Sequence, residues 1–137
     1  MRWAILDTSV YIGHWEAGRY DELLLDVQRA FIVRHSAVVL SELRRGARGR
    51  AQQRVVEQLH DMARTIWEPQ VDDWWEAGKL VREVGDRAGW EVHKRREFQN
   101  DALIALTARR YGAIVVTANR EDFSLLASAL KIELLYP

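Results

Sequence analysis

Four acidic residues, each in a separate stretch of the chain, are the side chains best suited to chemistry. They are Asp7 in LDTSV, Glu42 in SELRRG, Asp101 in NDALIAL and Asp122 in NREDF. Carboxylates gathered in one place repel each other and take up protons, and a divalent cation relieves that repulsion. An all-oxygen ligand set suits magnesium or manganese, and such sites hydrolyse phosphodiesters with a metal-activated water.

Each acid also has a local interpretation. Asp7, Asp101 and Asp122 could cap helices, since each stands near a predicted helix start or an asparagine. Glu42 could pair with a nearby arginine on a helix surface. The metal-site hypothesis therefore depends on the combination, because all four acids fall at, or can point to, one edge of one sheet.

Hydrophobic patterning predicts the elements that hold these acids. Short continuous apolar runs are typical of strands buried in a parallel sheet, and they occur at 3–6, 31–33, 113–117, 132–135 and, more weakly, 65–67. Helical periodicity or capping residues predict helices at 10–15, 20–30, 37–45, 51–66, 71–85, 98–111 and 123–130. Strands alternating with helices predict an α/β fold, with a parallel sheet covered by helices on both faces.

In such sheets, ligands bind outside the carboxyl ends of the strands, near the point where the strand order reverses. Asp7 directly follows the first strand, and Asp122 lies just beyond the clearest one. Asp101 shares a helical face with Ala105 and Ala108. A carboxylate on an apolar face is costly to bury unless it is paired, hydrogen-bonded or metal-bound.

Composition limits the remaining function classes. A chain of 137 residues fits one domain, residues 1–137, and the absence of cysteine excludes disulfides, cysteine-based zinc sites and thiol nucleophiles. No signal peptide or membrane span is predicted, so we expect a cytoplasmic protein. Net charge is zero, yet arginine supplies most of the cations and is clustered near 44–50 and 93–96.

The stretches LDTSV, SELRRG and NDALIALTARRYGAIVVTANREDF resemble PIN-domain nucleases, and in style the VapC-type toxins of VapBC toxin–antitoxin pairs. The resemblance covers nearly the whole chain. It implies a PIN-like three-layer fold with a parallel sheet of about five strands. It also implies a metal-dependent endoribonuclease that uses Mg²⁺ or Mn²⁺.

The resemblance also implies roles for individual residues. Asp7 and Asp101 would bind the metal directly, and Glu42 would act through water or on a second ion. Either Asp122 supplies the fourth carboxylate, or Asn119 is a neutral substitute and Asp122 is a cap. Hydroxyls that could orient the carboxylates belong to Thr8, Ser9 and Thr117.

The partners implied are an RNA substrate, a VapB-like antitoxin that covers the acidic pocket, and a second copy of the chain in a homodimer. The RNA backbone would contact basic side chains near the acids, namely Arg44, Arg45, Lys94, Arg95 and Arg96. Trp15, Trp74 and Trp75 are either exposed contacts for such partners or core residues.

Other phosphoryl-transfer families fit less well. Phosphatases that form an aspartyl phosphate place a second Asp where this chain has Ser9, and receiver domains need a lysine after the strand that ends near Val116. A catalytically silent PIN-like module that binds RNA or a partner remains the alternative.

Overall fold

The computed structural model describes residues 1–137 and has a five-stranded parallel sheet at its centre. Its strands are β1 (Arg2–Leu6), β2 (Phe31–Ser36), β3 (Ile66–Trp67), β4 (Ile114–Val116) and β5 (Glu133–Leu135). They lie in the order β3-β2-β1-β4-β5, and every neighbouring pair is parallel.

Seven helices connect the strands: α1 (Thr8–Ala17), α2 (Asp21–Ala30), α3 (Ala37–Gly46), α4 (Gly49–Met62), α5 (Val71–Ala88), α6 (Val92–Tyr111) and α7 (Arg120–Ala129). The predicted α/β fold with a five-stranded parallel sheet is therefore confirmed. None of the seven helices is both long and apolar enough to cross a membrane.

Side chains alternate between the two faces of the central strands and join two separate apolar clusters. Ile5 and Val115 belong to the larger cluster, with buried residues of α3, α4, α5, α6 and α7. Ala4 and Leu6 belong to a smaller cluster on the opposite face, with residues of α1 and α2. The sheet is therefore the middle of three layers, as the sequence predicted.

The strand order reverses between β1 and β4, which makes their carboxyl ends the expected position for a site. Leu6 is aligned with Val116, and the backbone N–H of Asp7 donates to the Val116 carbonyl at 2.8 Å. Asp7 and Thr117 therefore leave the sheet side by side.

Two predicted helix boundaries were wrong by four residues or more, and the other boundaries differ by three residues or fewer. The helix predicted at 98–111 begins at Val92, because the Glu91 carboxylate caps it by accepting hydrogen bonds from the His93 and Lys94 backbone N–H groups. The helix predicted at 51–66 ends at Met62, because Ile66 pairs with β2 as part of β3.

Two arginines near the end of α6 bind acids of α5. Arg110 makes a bidentate ion pair at 3.0 Å with Asp73, which is only 2% exposed. Arg109 makes a second bidentate pair with Glu76, in which both side chains are more than one-third exposed. These contacts join the two longest helices of the protein.

The three tryptophans set apart in the sequence have different environments. Trp15 is half-buried and packs against the larger cluster, with its ring 5.5 Å from that of Tyr11. Trp74 and Trp75 at the start of α5 are 51% and 86% exposed. The core interpretation therefore applies only to Trp15.

Candidate metal and RNA site

Asp7 is a buried carboxylate held by hydroxyls at the carboxyl end of β1. It is 3% exposed, and its Oδ2 accepts hydrogen bonds from Ser9 at 2.7 Å and Thr117 at 2.8 Å. It occupies the N-cap position of α1, but its side chain makes no capping hydrogen bond. Burial raises the pKa of Asp7, and the two hydroxyls partly offset that rise.

Glu42 is a half-buried acid on α3 that hydrogen-bonds to neutral side chains. Thr8 donates to its Oε1 at 2.8 Å, and Asn100 donates to its Oε2 at 3.3 Å. Neither Arg45 nor Arg48 forms an ion pair with it, so the local surface-pair interpretation is wrong. Burial first, and the charge of Asp7 as well, raise the pKa of Glu42.

Asp101 lies on the buried face of α6 and is 9% exposed. Asn119 donates to its Oδ2 at 3.3 Å. Burial, followed by the charges of Asp7, Asp122 and Glu42, raises the pKa of Asp101 to about 9. Four acids that are distant in sequence therefore lie close enough at one end of the sheet to act on one another's charge.

Asp122 is the third residue of α7 and is 3% exposed. Asn119 caps this helix by accepting a hydrogen bond from the Asp122 backbone N–H at 3.3 Å, so the capping role proposed for Asp122 belongs to Asn119. Asn119 also donates to Asp122 Oδ2 at 3.2 Å, and it thereby joins Asp101 to Asp122.

Lys94, the third residue of α6, points into this acidic cluster. Its Nζ lies 2.8 and 2.7 Å from the two carboxylate oxygens of Asp122 and 5.0 Å from the centre of the Trp90 ring. The sequence carried a signal for this contact, since Lys94 precedes Asp101 by two helical turns and so shares its face. That signal was hidden because the start of α6 was predicted too late.

The other cations predicted to bind RNA form no ion pair with the four acids. Arg95 points away from the acids, because its Nε donates to the Trp90 carbonyl at 2.8 Å and its Nη1 to Asp86 at 2.9 Å. Arg44, Arg45 and Arg96 are exposed and take part in no ion pair.

The chemistry of the donor set fits a hard divalent cation, whereas its present arrangement does not form a complete cage. Asp7, Glu42 and Asp101 offer only oxygen ligands. Burial raises the pKa of all three, and repulsion from neighbouring carboxylates also raises the pKa of Glu42 and Asp101, which a cation would relieve. No group of three acidic or histidine side chains is arranged to hold a metal ion. Binding one therefore requires the carboxylates to reorient.

The chain matches the PIN domain family over residues 4–128. It therefore belongs to that family, and the resemblance noted in its motifs is confirmed. No curated protein matches the chain significantly.

Solved structures of VapBC toxin–antitoxin systems share this fold. VapBC-1 from nontypeable Haemophilus influenzae aligns with a TM-score of 0.70 at 19% identity, covering 98% of this chain and 97% of the other. DNA-bound VapBC from Salmonella typhimurium aligns with a TM-score of 0.67 at 21% identity, covering 99% and 98%. VapBC-5 from Mycobacterium tuberculosis aligns with a TM-score of 0.62 at 27% identity, covering the whole of both chains.

Proposed function

We propose that this PIN-domain protein, taken as one domain over residues 1–137, is a metal-dependent endoribonuclease. The observation that carries the proposal is the convergence of Asp7, Glu42, Asp101 and Asp122 at one end of the sheet. Asn119 donates to both Asp101 and Asp122, and Thr117, which holds Asp7, accepts the Asn119 backbone N–H. Glu42 accepts from Thr8, the residue that follows Asp7. Side chains drawn from four separate segments to one buried anionic cluster are costly for stability. That cost favours a functional role for the cluster.

Asp7, Glu42 and Asp101 would hold Mg²⁺ or Mn²⁺ in this proposal. When bound, the cation supplies an activated water for attack on phosphorus and stabilises the leaving oxygen. The hydroxyls of Thr8, Ser9 and Thr117 keep the carboxylates of Glu42 and Asp7 in fixed orientations.

Asp122 and Asn119 have a different role, which is to place the Lys94 ammonium beside the metal-binding acids. The two Asp122 oxygens hold Nζ, and Asn119 fixes the Asp122 carboxylate. A lysine ammonium is a compact cation suited to a phosphate oxygen. Lys94 would therefore bind the RNA phosphate next to the one that is cut.

The unpaired cations Arg44, Arg45 and Arg96 would hold the RNA backbone on either side of the cleaved phosphate. Arg95 is left out of this role, because its guanidinium is already bound to Asp86 and Trp90. Only part of the surface needs to be basic, which is compatible with a net charge of zero.

Proposed partners follow from the VapBC relatives, whose structures are of toxin–antitoxin systems. We propose that the chain is the toxin of a type II pair, works in the cytoplasm, forms a homodimer and is inhibited by a VapB-like antitoxin. Two overlapping apolar clefts of about 320 Å³ each, between α1, α2 and α4, offer a surface for apolar antitoxin side chains.

Cleavage of total RNA tests the nuclease proposal. Asp7→Asn and Asp101→Asn should abolish cutting in Mg²⁺ or Mn²⁺ while RNA binding persists, because each substitution removes charge needed for the cation and leaves the basic surface intact. Asp26→Asn, at an exposed acid on α2, is the matched control and should cut as the parent does. Undiminished cleavage by either site variant would refute the assignment.

Expression in cells tests the toxin proposal separately. The parent should slow growth, the Asp7→Asn variant should not, and co-expression of the adjacent short reading frame should restore growth. Harmless expression of folded parent protein would contradict the toxin role, although it would leave the nuclease activity standing.

The alternative, a catalytically silent RNA-binding module, is favoured by two features of the site. Lys94 already neutralises Asp122, and no three side chains are arranged to hold an ion. This alternative predicts RNA binding without cleavage in either metal, and it predicts that Asp7→Asn leaves every measured property of RNA binding unchanged.

A further inference from the structure

A cleft of about 310 Å³ opens beside the carboxylate cluster, between α3, the segment before α5, and α6. Glu42 and Asn100, which hydrogen-bond to each other within the cluster, also line this cleft. The cleft is therefore continuous with the candidate site, and a polymer whose phosphate reached the acids would pass one of its neighbouring groups into it. Its volume is within the range of small-ligand sites, about 300–1,000 Å³.

Trp74 forms one wall of the cleft and is 51% exposed. A large indole left half in water forgoes part of the burial free energy that it could gain in the core. Trp75, the next residue, is even more exposed but does not line the cleft. Of these two tryptophans, only Trp74 therefore has access to the space beside the acids.

The other walls carry polar groups of the kind that bind nucleotides. Arg45 is exposed and has no ion-pair partner, and Ser41, Glu68 and Asn100 add a hydroxyl, a carboxylate and an amide. An aromatic face with hydrogen-bonding groups around it matches an unstacked nucleobase, which offers a flat apolar face and a polar edge. A free guanidinium at the same cleft matches the attached phosphate.

We propose that this cleft is a base-binding subsite, in which one unpaired base of single-stranded RNA stacks on Trp74 while Arg45 binds its phosphate. The inference rests on the proposed nuclease function for its choice of RNA as ligand. It deepens that function, because a base already stacked in a duplex cannot enter the cleft. The substrate class is therefore RNA with an unpaired nucleotide beside the cleaved phosphate.

Binding of a fluorescein-labelled, mixed-sequence 12-nucleotide RNA, measured by anisotropy in EDTA, tests the subsite without any cleavage. Stacking on an aromatic side chain contributes enough that Trp74→Ala should weaken binding about tenfold. Trp74→Phe should keep most of the affinity, and Trp75→Ala, the matched control, should bind as the parent does. The same RNA annealed to its complement should bind parent and Trp74→Ala equally.

Three results would overturn the subsite. The first is an equal loss of RNA affinity in Trp74→Ala and Trp75→Ala. The second is an equal loss of affinity of Trp74→Ala for single-stranded and duplex RNA, and the third is no RNA binding by the parent. A change in oligomeric mass of Trp74→Ala, measured by light scattering, would overturn it in favour of an interface between copies of this chain. Cleavage assays on the same proteins separate the two proposals. If the parent binds RNA through Trp74 but never cuts it, the subsite is supported and the nuclease proposal is refuted. If the parent cuts RNA while Trp74→Ala binds it normally, the nuclease proposal is supported and the subsite is refuted.

Discussion

Lys94 Nζ lies 2.8 and 2.7 Å from the two carboxylate oxygens of Asp122, so a cation is built into the most acidic part of the protein. The Asp122 side chain is 4% exposed and that of Lys94 is 29% exposed. Burial lowers the pKa of Lys94, but the hydrogen bonds and charge of Asp122 outweigh that effect and raise it. The Lys94 ammonium therefore stays charged at neutral pH.

Removal of the Lys94 charge should destabilise the protein more than removal of its partner. Lys94→Gln leaves a buried, unpaired carboxylate and should cost about 2–3 kcal/mol of unfolding free energy. Asp122→Asn leaves an ammonium that can reach water and should cost about 1 kcal/mol. Urea unfolding at pH 7 measures both values.

The double variant Lys94→Gln/Asp122→Asn should recover part of that loss, since two neutral amides can hydrogen-bond where one charge was stranded. His93→Gln is the matched control, because His93 is an exposed neighbour on α6 whose side chain forms one ion pair, with Glu97. Additive losses in the double variant would contradict a direct interaction between Lys94 and Asp122.

Asp101 should make the metal-free protein less stable as pH rises. Its pKa is about 9 in the folded state against 3.8 in the unfolded chain. Between these values the folded state holds a proton that the unfolded state has released, so stability falls with pH by up to about 1.4 kcal/mol per unit. Asp101→Asn should lose this part of the pH dependence, as measured by urea unfolding from pH 4 to pH 9 in EDTA.

Manganese should reverse the effect in the parent at pH 8, because a bound cation favours the charged carboxylate. Asp101→Asn should gain much less stability from the same metal. Parallel pH profiles for parent and variant would show that the carboxyl group is not held protonated by its neighbours.

Part of the site was predictable because it follows from patterns that single segments carry. The apolar run before Asp7 requires a buried strand, and the alanines that share the face of Asp101 require that carboxylate to be buried. Combined with the alternation of strands and helices, these two predictions place Asp7 and Asp101 at one edge of the sheet. The order of the strands, β3-β2-β1-β4-β5, was not predicted from the sequence.

The contacts inside the site were not predictable, because they depend on competition between segments. Asn119 and Asp122 are both good caps for the same helix, and the sequence does not rank them. In the structure Lys94, from a distant helix, binds Asp122, and Asn119 caps the helix. Lys94 determines that Asp122 forms the ion pair and Asn119 the cap, but the helix predicted at 98–111 did not include Lys94.

Thr117 should control metal affinity through Asp7, because its hydroxyl holds Asp7 Oδ2 at 2.8 Å and also accepts the Asn119 backbone N–H. Thr117→Val preserves shape and should weaken Mn²⁺ binding about 10–100-fold in calorimetry. Thr107→Val is the matched control, since Thr107 is equally buried but bonds only to the Leu103 carbonyl within α6. Equal Mn²⁺ affinity in both variants would contradict an orienting role for Thr117.

Asp73 should account for part of the loss of stability in acid. Burial alone would raise its pKa, but hydrogen bonds from Arg110 and the Gln70 backbone N–H outweigh that effect and lower it. Asp73→Asn should therefore cost about 2–3 kcal/mol at pH 7, because it breaks a buried bidentate pair. This cost should shrink as the pH falls below 4, because the Asp73 carboxylate of the unfolded chain takes up a proton there while the folded parent still holds its charge, and the folded carboxylate is protonated only at lower pH.

Glu76→Gln provides the comparison for Asp73, because Glu76 forms the same kind of pair with Arg109 on the same two helices but is more than one-third exposed. Exposed pairs contribute little, so this variant should cost less than about 1 kcal/mol at any pH. Urea unfolding of both variants at pH 7 and pH 3 measures the difference. A cost for Asp73→Asn that does not change between these pH values would mean that packing, rather than the charge of the carboxylate, joins α5 to α6.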